Sequence, residues 1–150
     1  MRIFITGGTG FIGTCLVRRL AETDHQVTCL VRRSSNTAVL ERLRVELISG
    51  DVTDSDSLRA AIKGHDCVIN LANVYSFWEP DPRVYQSVNV CGTRNVMESA
   101  LEAGVSKVVH ISTGGIYGKP KDVPFTEESE VGPIRFSEYF RTKYEGDQIA

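Results

Sequence analysis

The chain has 150 residues and a formal net charge of −2, and its composition is that of an ordinary globular domain. That length supports one domain with a real core. The charge balance points to neither nucleic acid nor an anionic membrane surface, and the longest apolar runs fall far short of a membrane span, so the expected compartment is the cytosol.

The first element read from the sequence is a buried strand over Arg2 to Thr6, not a signal sequence. A glycine-rich stretch, Gly7-Gly8-Thr9-Gly10-Phe11-Ile12-Gly13, follows at once, and helical periodicity begins at Cys15. Strand, glycine turn and helix open a mononucleotide-binding unit. Gly7 would turn the chain out of the strand, Gly10 would admit a pyrophosphate to the backbone, and Gly13 would bring helix close to strand. Phosphates would sit at the helix N-terminus, among Gly10, Phe11, Ile12 and Gly13, where free N–H groups and the helix dipole favour anions. The spacing is Gly-x-x-Gly-x-x-Gly rather than Gly-x-Gly-x-x-Gly, so the motif takes its weight from the strand and helix around it.

Gln26 to Val31 reads as strand two, a short helix is expected from Thr37 to Leu43, and Val45 to Ser49 reads as strand three. Gly50 to Thr53 turns into a helix from Asp54 to Lys63 with Ser and Asp capping signals. Asp66 to Ala72 reads as strand four and Asn73 to Pro80 as a loop. A long helix is expected from Pro82 to Ala103, with Asp81 as N-cap and Gly104 closing it. Lys107 to Ser112 reads as strand five, and Gly114 to Ser137 as a loop rich in Gly, Pro and charge. Helix resumes at Ser137 or Glu138. Repeated βα units imply an α/β, Rossmann-type doubly wound parallel sheet of order 3-2-1-4-5, with ligand at the carboxyl ends of strands one and four.

Strand two bears on the choice of cofactor. An acid at its end would accept hydrogen bonds from the adenosine ribose. Val31 stands there instead, followed by Arg32 and Arg33, whose guanidinium groups suit a 2′-phosphate. The same pair also reads as solvated surface charge. The absence of an acid favours NADP, with NAD possible. Asp51 and Val52 are placed to meet the adenine, and Leu71, Ala72 and Asn73 to lie beside the cofactor ribose.

Tyr139-Phe140-Arg141-Thr142-Lys143 is Tyr-x-x-x-Lys on an expected helix, which puts the two ends one turn apart on one face. A free phenol, with a pKa of about 10, is a poor base near neutrality. A nearby ammonium and an oxidised nicotinamide would lower that value and let Tyr139 exchange a proton with a carbonyl or carbinol oxygen. Lys143 can also bind ribose hydroxyls. Tyr117 to Lys121 repeats the spacing, but Gly118 and Pro120 make helix unfavourable there. Strand five ends in Ser112-Thr113; a hydroxyl there, that of Thr113 in particular, could hold a substrate oxygen beside Tyr139, with Gly114 and Gly115 leaving room for substrate, or the pair could bond only to backbone. Asn89 and Thr93 share a helix face, and Gly92 allows close packing. Asn89 reads either as support for a relay water or the lysine, or as a polar residue turned to solvent. Tyr75, Phe77 and Trp78 could line a pocket or pack on the sheet edge.

The cysteines, Cys15, Cys29, Cys67 and Cys91, form no Cys-x-x-Cys pair and read as reduced, mostly buried thiols rather than metal ligands. His25 and His65 precede strands in turn-like contexts and read as solvated. His110 falls within strand five with no ligand set near it.

Together these motifs resemble the extended short-chain dehydrogenase/reductase (NAD-dependent epimerase/dehydratase) family. The resemblance rests on Thr6 to Gly13, Gly50-Asp51-Val52, Asn89 to Val96, Ile111 to Gly118 and Tyr139 to Lys143, in the family's order. Trp78 to Pro82 and the arginines after strand two resemble the dihydroflavonol-reductase-like branch, which includes proteins labelled hopanoid-associated sugar epimerases. The resemblance implies that Thr113, Tyr139 and Lys143 occupy the catalytic Ser/Thr, Tyr and Lys places, and that Asn89 matches the family's motif Asn. It also implies a small-molecule substrate and dimerisation through the long and last helices. Gly114 and Gly115 replace the acidic pair of the family's dehydratases, which argues against dehydration. Family members are about twice this length, so the sequence reads as the cofactor half, truncated before the substrate lobe, with strand five left as an edge. The leading expectation is hydride transfer between NADP(H) and a carbonyl or alcohol carbon. A nucleotide-sugar epimerase and a non-catalytic dinucleotide-binding module are the alternatives.

Overall fold

The computed structural model describes residues 1–118, 124–132 and 137–150. Five strands, β1 (Arg2–Thr6), β2 (Gln26–Val31), β3 (Glu46–Ser49), β4 (Cys67–Asn70) and β5 (Lys107–His110), form one parallel sheet of order β3-β2-β1-β4-β5. The Rossmann-type topology expected from the βα alternation is therefore the one observed.

Side-chain alternation along β1 divides the core in two. Ile3 and Ile5 face Val17 of α1 (Phe11–Ala21), with Val27, Cys29 and Leu40. Phe4 faces the opposite layer, with Leu58 and Ile62 of α2 (Ser55–Ile62) and Val96 of α4 (Thr93–Glu102). Each such side chain, taken fully from water, contributes on the order of 1.5–3 kcal/mol. Helix α2 begins as its cap signal predicts, with the Asp54 carboxylate accepting from the N–H groups of Asp56 and Ser57.

Several local expectations are corrected. Strand β3 begins one residue later than expected, and β4 and β5 end before their apolar runs do, where Leu71, Ala72, Ile111 and Ser112 line a cleft at the carboxyl ends of the strands. The helix expected from Thr37 to Leu43 shrinks to a 3-10 turn at Leu40–Arg42. Asn36 competes locally by accepting from the Ala38 N–H, and only Leu40 of the turn is buried. The long helix begins at α3 (Arg83–Tyr85), widens into a π-helical segment (Gln86–Gly92) and continues as α4. Asp81 accepts from the Arg83 N–H and pairs with its guanidinium. Gly92 packs against Val52, whose Cγ2 would lie 2.8 Å from an added Cβ. Helix α5 (Glu138–Ile149) is capped by Ser137, which accepts from the Phe140 N–H.

His65 is not solvated: its ring contacts the Ile62 carbonyl and the Thr28 hydroxyl, each at 3.0 Å, and tilts against Phe4. Cys29 and Cys67 are buried but Cys15 and Cys91 are exposed, so only half of the thiols follow the expectation. Within the expected loop, Gly114–Tyr117 forms a 3-10 turn. Lys121 of the second Tyr-x-x-x-Lys lies outside the described residues. Among the described residues, no helix is long and apolar enough to cross a membrane.

Candidate functional site

A cleft of about 860 Å³ opens at the carboxyl ends of the strands, where the order reverses between β1 and β4. Its floor is the glycine turn. Gly7 takes φ +70°, and an added Cβ would lie 2.7 Å from the Ala72 nitrogen. A Cβ on Gly13 would lie 2.2 Å from the Gly7 carbonyl oxygen. These two glycines thus let β1, the turn and α1 pack together. The Gly10 N–H closes the turn on the Gly7 carbonyl at 3.0 Å.

Helix α1 has no side-chain cap and no acid in its first turn. Phe11 and Ile12 there are largely exposed, at 90% and 56%, and both line the cleft. Uncapped N–H groups and the helix dipole therefore face the cavity. Arg32, Asp51, Val52, Leu71, Ala72 and Asn73 line it too. Arg33 is exposed and stands outside the lining. Two lining atoms, Asn73 Oδ1 and Ser112 Oγ, are buried without a hydrogen-bond partner among the described residues. Buried polar atoms left so are expected to meet a polar ligand or water. The residues fit a dinucleotide on these grounds: a glycine cradle with no room for Cβ atoms, an uncapped helix N-terminus, a guanidinium at the β2 end, and orphaned polar atoms between.

Tyr139 and Lys143 line the same cleft from α5. Both are nearly buried, at 6% and 3% exposed. Lys143 donates from Nζ to the Ile111 carbonyl at 2.5 Å, just beyond β5. Burial holds its ammonium below the usual lysine range, with Asp147 opposing. Burial likewise pushes the Tyr139 phenol above its ordinary value, and hydrogen bonding to the Thr113 hydroxyl opposes that rise. Burial outweighs that bond, and the phenol stands above its ordinary value. Thr113 also accepts the Gly115 N–H at 3.2 Å, so it combines the expected place beside Tyr139 with a backbone bond.

Gly115 leaves no room for substrate, because the Phe140 ring fills the space where its Cβ would be; Gly114 is open. Asn89 is buried at 2% exposed rather than turned to solvent. Its Oδ1 accepts the Val74 N–H at 2.7 Å and its Nδ2 donates to the Thr142 hydroxyl at 3.1 Å. It thus contacts the residue beside Lys143, not Lys143 itself.

The motif reading missed lining residues such as Thr9, Ser35 and Glu79, whereas Tyr75 and Ser112 line the cleft as read. Ser35 carried a usable signal, since a serine three residues after Arg32 suits the turn observed, in which the Arg32 N–H donates to Ser35 Oγ. Tyr75 stands edge-on to Tyr139, with ring centroids 5.4 Å apart, and Phe77 does so at 5.9 Å. Trp78 is 75% exposed and lines no part of the cleft.

The family model "NAD dependent epimerase/dehydratase family" matches residues 3–150. The chain is 36% identical over 149 residues to a "Putative dihydroflavonol 4-reductase" of Synechocystis sp., covering 98% of this chain and 43% of that protein. It is 38% identical over 159 residues to a UDP-glucose 4-epimerase of Mycolicibacterium smegmatis, covering 98% and 49%. Among solved structures, the Bordetella bronchiseptica enzyme WbmG in complex with NAD aligns with a TM-score of 0.86 at 28% identity, over 99% of this chain and 48% of that one. The chain spans less than half the length of these relatives. With its sheet order, glycine turn and one match running nearly end to end, the chain belongs to the NAD-dependent epimerase/dehydratase family.

Proposed function

We propose that the chain is the cofactor-holding and proton-handling half of an oxidoreductase that moves hydride between NADP(H) and a carbonyl or alcohol carbon of a small molecule. One observation carries this reading: a single cleft is lined by the glycine turn and α1 N-terminus at one end and by Tyr139 and Lys143 at the other. Gly7, Gly10 and the first turn of α1 would hold the pyrophosphate, Asp51 and Val52 the adenosine, and Asn73 and Lys143 the second ribose. When bound, the dinucleotide supplies or accepts the hydride. Tyr139 gives a proton to the substrate oxygen, or takes one from it, through its phenol. Thr113 steadies that phenol, and the Lys143 ammonium favours its ionised form by charge. Asn89 holds α5 to the loop after β4. Arg32 supports NADP over NAD, since a guanidinium suits a 2′-phosphate where no acid meets the ribose hydroxyl.

The names of the epimerase relatives favour a second reading, in which a nucleotide sugar is oxidised and reduced again at one carbon while the cofactor stays bound. A copurifying cofactor that survives gel filtration and turnover would support this reading, and its release after each turnover would support the reductase. Dimerisation through the exposed sides of α4 and α5 remains our proposal for the quaternary state, and sedimentation tests it.

Titration of the chain with NADPH and NADH tests the cofactor reading, and Tyr139→Phe in the full-length protein tests the chemistry. The expected result is cofactor binding as in the parent with turnover lost. Retained turnover rejects Tyr139 as the proton donor and acceptor. Cofactor binding with no turnover in the unaltered protein would favour a non-catalytic module.

A further inference from the structure

Three residues at one register cross the sheet beneath α5. Thr6 pairs with Asn70 between β1 and β4, and Asn70 with His110 between β4 and β5. Their side chains are joined in one direction. The Ala72 N–H donates to Thr6 Oγ1 at 3.2 Å, and Thr6 donates to Asn70 Oδ1 at 2.6 Å. The Asn70 amide nitrogen then faces His110 Nδ1 at 3.1 Å. Thr6 and Asn70 are 0% and 2% exposed, so water does not compete.

An amide nitrogen only donates, so His110 Nδ1 must present its lone pair. The neutral ring then carries its proton on Nε2, which is buried without a partner among the described residues. The charged groups bearing on His110 both come from α5, Lys143 and Asp147. The next residue along the strand, Ile111, supplies the carbonyl that receives the Lys143 ammonium.

We propose that His110 is a positioning residue for Lys143: the Thr6–Asn70–His110 row holds its imidazole neutral with the proton on Nε2, so that no second cation sits beside the ammonium resting on the Ile111 carbonyl. The role of Lys143 at the cofactor is that given under Proposed function, and the inference rests on it. Protonating His110 would turn an N–H toward the Asn70 amide, break the row and set two cations side by side. Burial and Lys143 act in the same sense, depressing His110 to about 4 against the partial opposition of Asp147.

The test uses the whole chain with His110→Asn, which keeps an acceptor toward Asn70 but cannot be charged, and His110→Leu, which removes the acceptor. Imidazole 15N spectra should show the neutral Nε2–H tautomer at neutral pH; an Nδ1–H tautomer or an imidazolium overturns the proposal. In the free chain, the Lys143 Nζ resonance should shift as His110 titrates in acid, and this response should be absent in His110→Asn. A Lys143 signal indifferent to that titration overturns it too, whether or not cofactor binds. NAD⁺ affinity at neutral pH should fall about tenfold in His110→Leu and stay within about twofold in His110→Asn. Affinity should fall in acid in the unaltered chain, and that fall should be missing from His110→Asn. Equal losses in the two variants, or an acid fall that persists in His110→Asn, would assign His110 a merely structural role. If His110→Leu does not fold, the spectra and His110→Asn still decide. A chain that binds no dinucleotide at any pH would refute the cofactor reading alone, leaving His110 to be judged on the Lys143 resonance.

Discussion

Asn89 joins two parts of the chain that sequence separates, accepting the Val74 N–H at 2.7 Å and donating to the Thr142 hydroxyl at 3.1 Å. One side chain in the π-helical segment therefore fixes both the loop after β4 and the middle of α5, between Tyr139 and Lys143. Asn89→Ala leaves a shielded N–H without its acceptor and should cost about 1–3 kcal/mol in chemical denaturation. Asn89→Asp keeps the acceptor but buries a carboxylate against the Thr142 oxygen, so it should cost at least as much at neutral pH and less where acid protonates it. An undetectable loss in Asn89→Ala would mean that the Val74 bond contributes nothing.

Gly13 and Gly104 should respond differently to alanine. At Gly13 the new methyl would meet backbone, with the Gly7 oxygen at 2.2 Å and the Gly8 Cα at 2.7 Å. Gly104 sits at φ +67° with nothing within 4 Å. Gly104→Ala should cost about 1–2 kcal/mol, from the left-handed backbone alone, and leave dinucleotide affinity intact. Gly13→Ala should abolish dinucleotide binding in a calorimetric titration. Retained affinity there would show that the turn is not the phosphate cradle.

The two arginines after β2 are not equivalent. Arg32 lines the cleft and Arg33 does not. Arg32→Ala should weaken NADPH by about tenfold, the worth of one charge-assisted contact to phosphate, and leave NADH nearly unchanged. Arg33→Ala should alter neither. Equal weakening of both cofactors by Arg32→Ala would reduce it to general surface charge.

Burial raises the Tyr139 phenol and hydrogen bonding to Thr113 pulls it back. Thr113→Val removes only the second effect. The alkaline transition of Tyr139, followed by difference absorbance, should therefore move to higher pH in this variant. The basic limb of turnover in the full-length protein should move in the same direction. An unmoved transition would show that Thr113 does not act on the phenol.

His110 also makes a stability prediction with a definite sign. Its folded value of about 4 lies below the ordinary 6.5. Between those values the unfolded chain binds the proton and the folded chain does not, so stability falls as pH drops through that window. Urea midpoints measured down this range should decline in the unaltered chain and decline less in His110→Asn. A flat profile in the unaltered chain would mean that the buried ring accepts its proton without cost.

The order of elements was legible because each relies on local rules. Apolar runs of strand length alternate with helical periods, and Asp54 and Ser137 cap the helices that follow them. The glycine turn was legible because its residues are consecutive, and Tyr139 with Lys143 because one helical turn relates them. Those local patterns also narrow the strand order, since right-handed βα crossovers leave few arrangements. Other features depend on contacts between distant residues. Nothing near His110 in sequence shows that Asn70, 40 residues earlier, fixes its tautomer. Nothing near Gly115 shows that the Phe140 ring fills its space, and the Arg32-Arg33 pair does not show which guanidinium turns into the cleft. The expected lowering of Tyr139 draws on its lysine and an oxidised nicotinamide together, and the sequence does not show that burial pulls the other way, because desolvation depends on everything packed around the ring. Local sequence set the elements and the consecutive motifs, since hydrogen-bond caps, turns and side-chain periods act over a few residues. Burial, the polar row beneath α5 and the lining of the cleft were decided only when the sheet brought its strands together, because solvation and hydrogen bonding there depend on neighbours that the chain order does not supply.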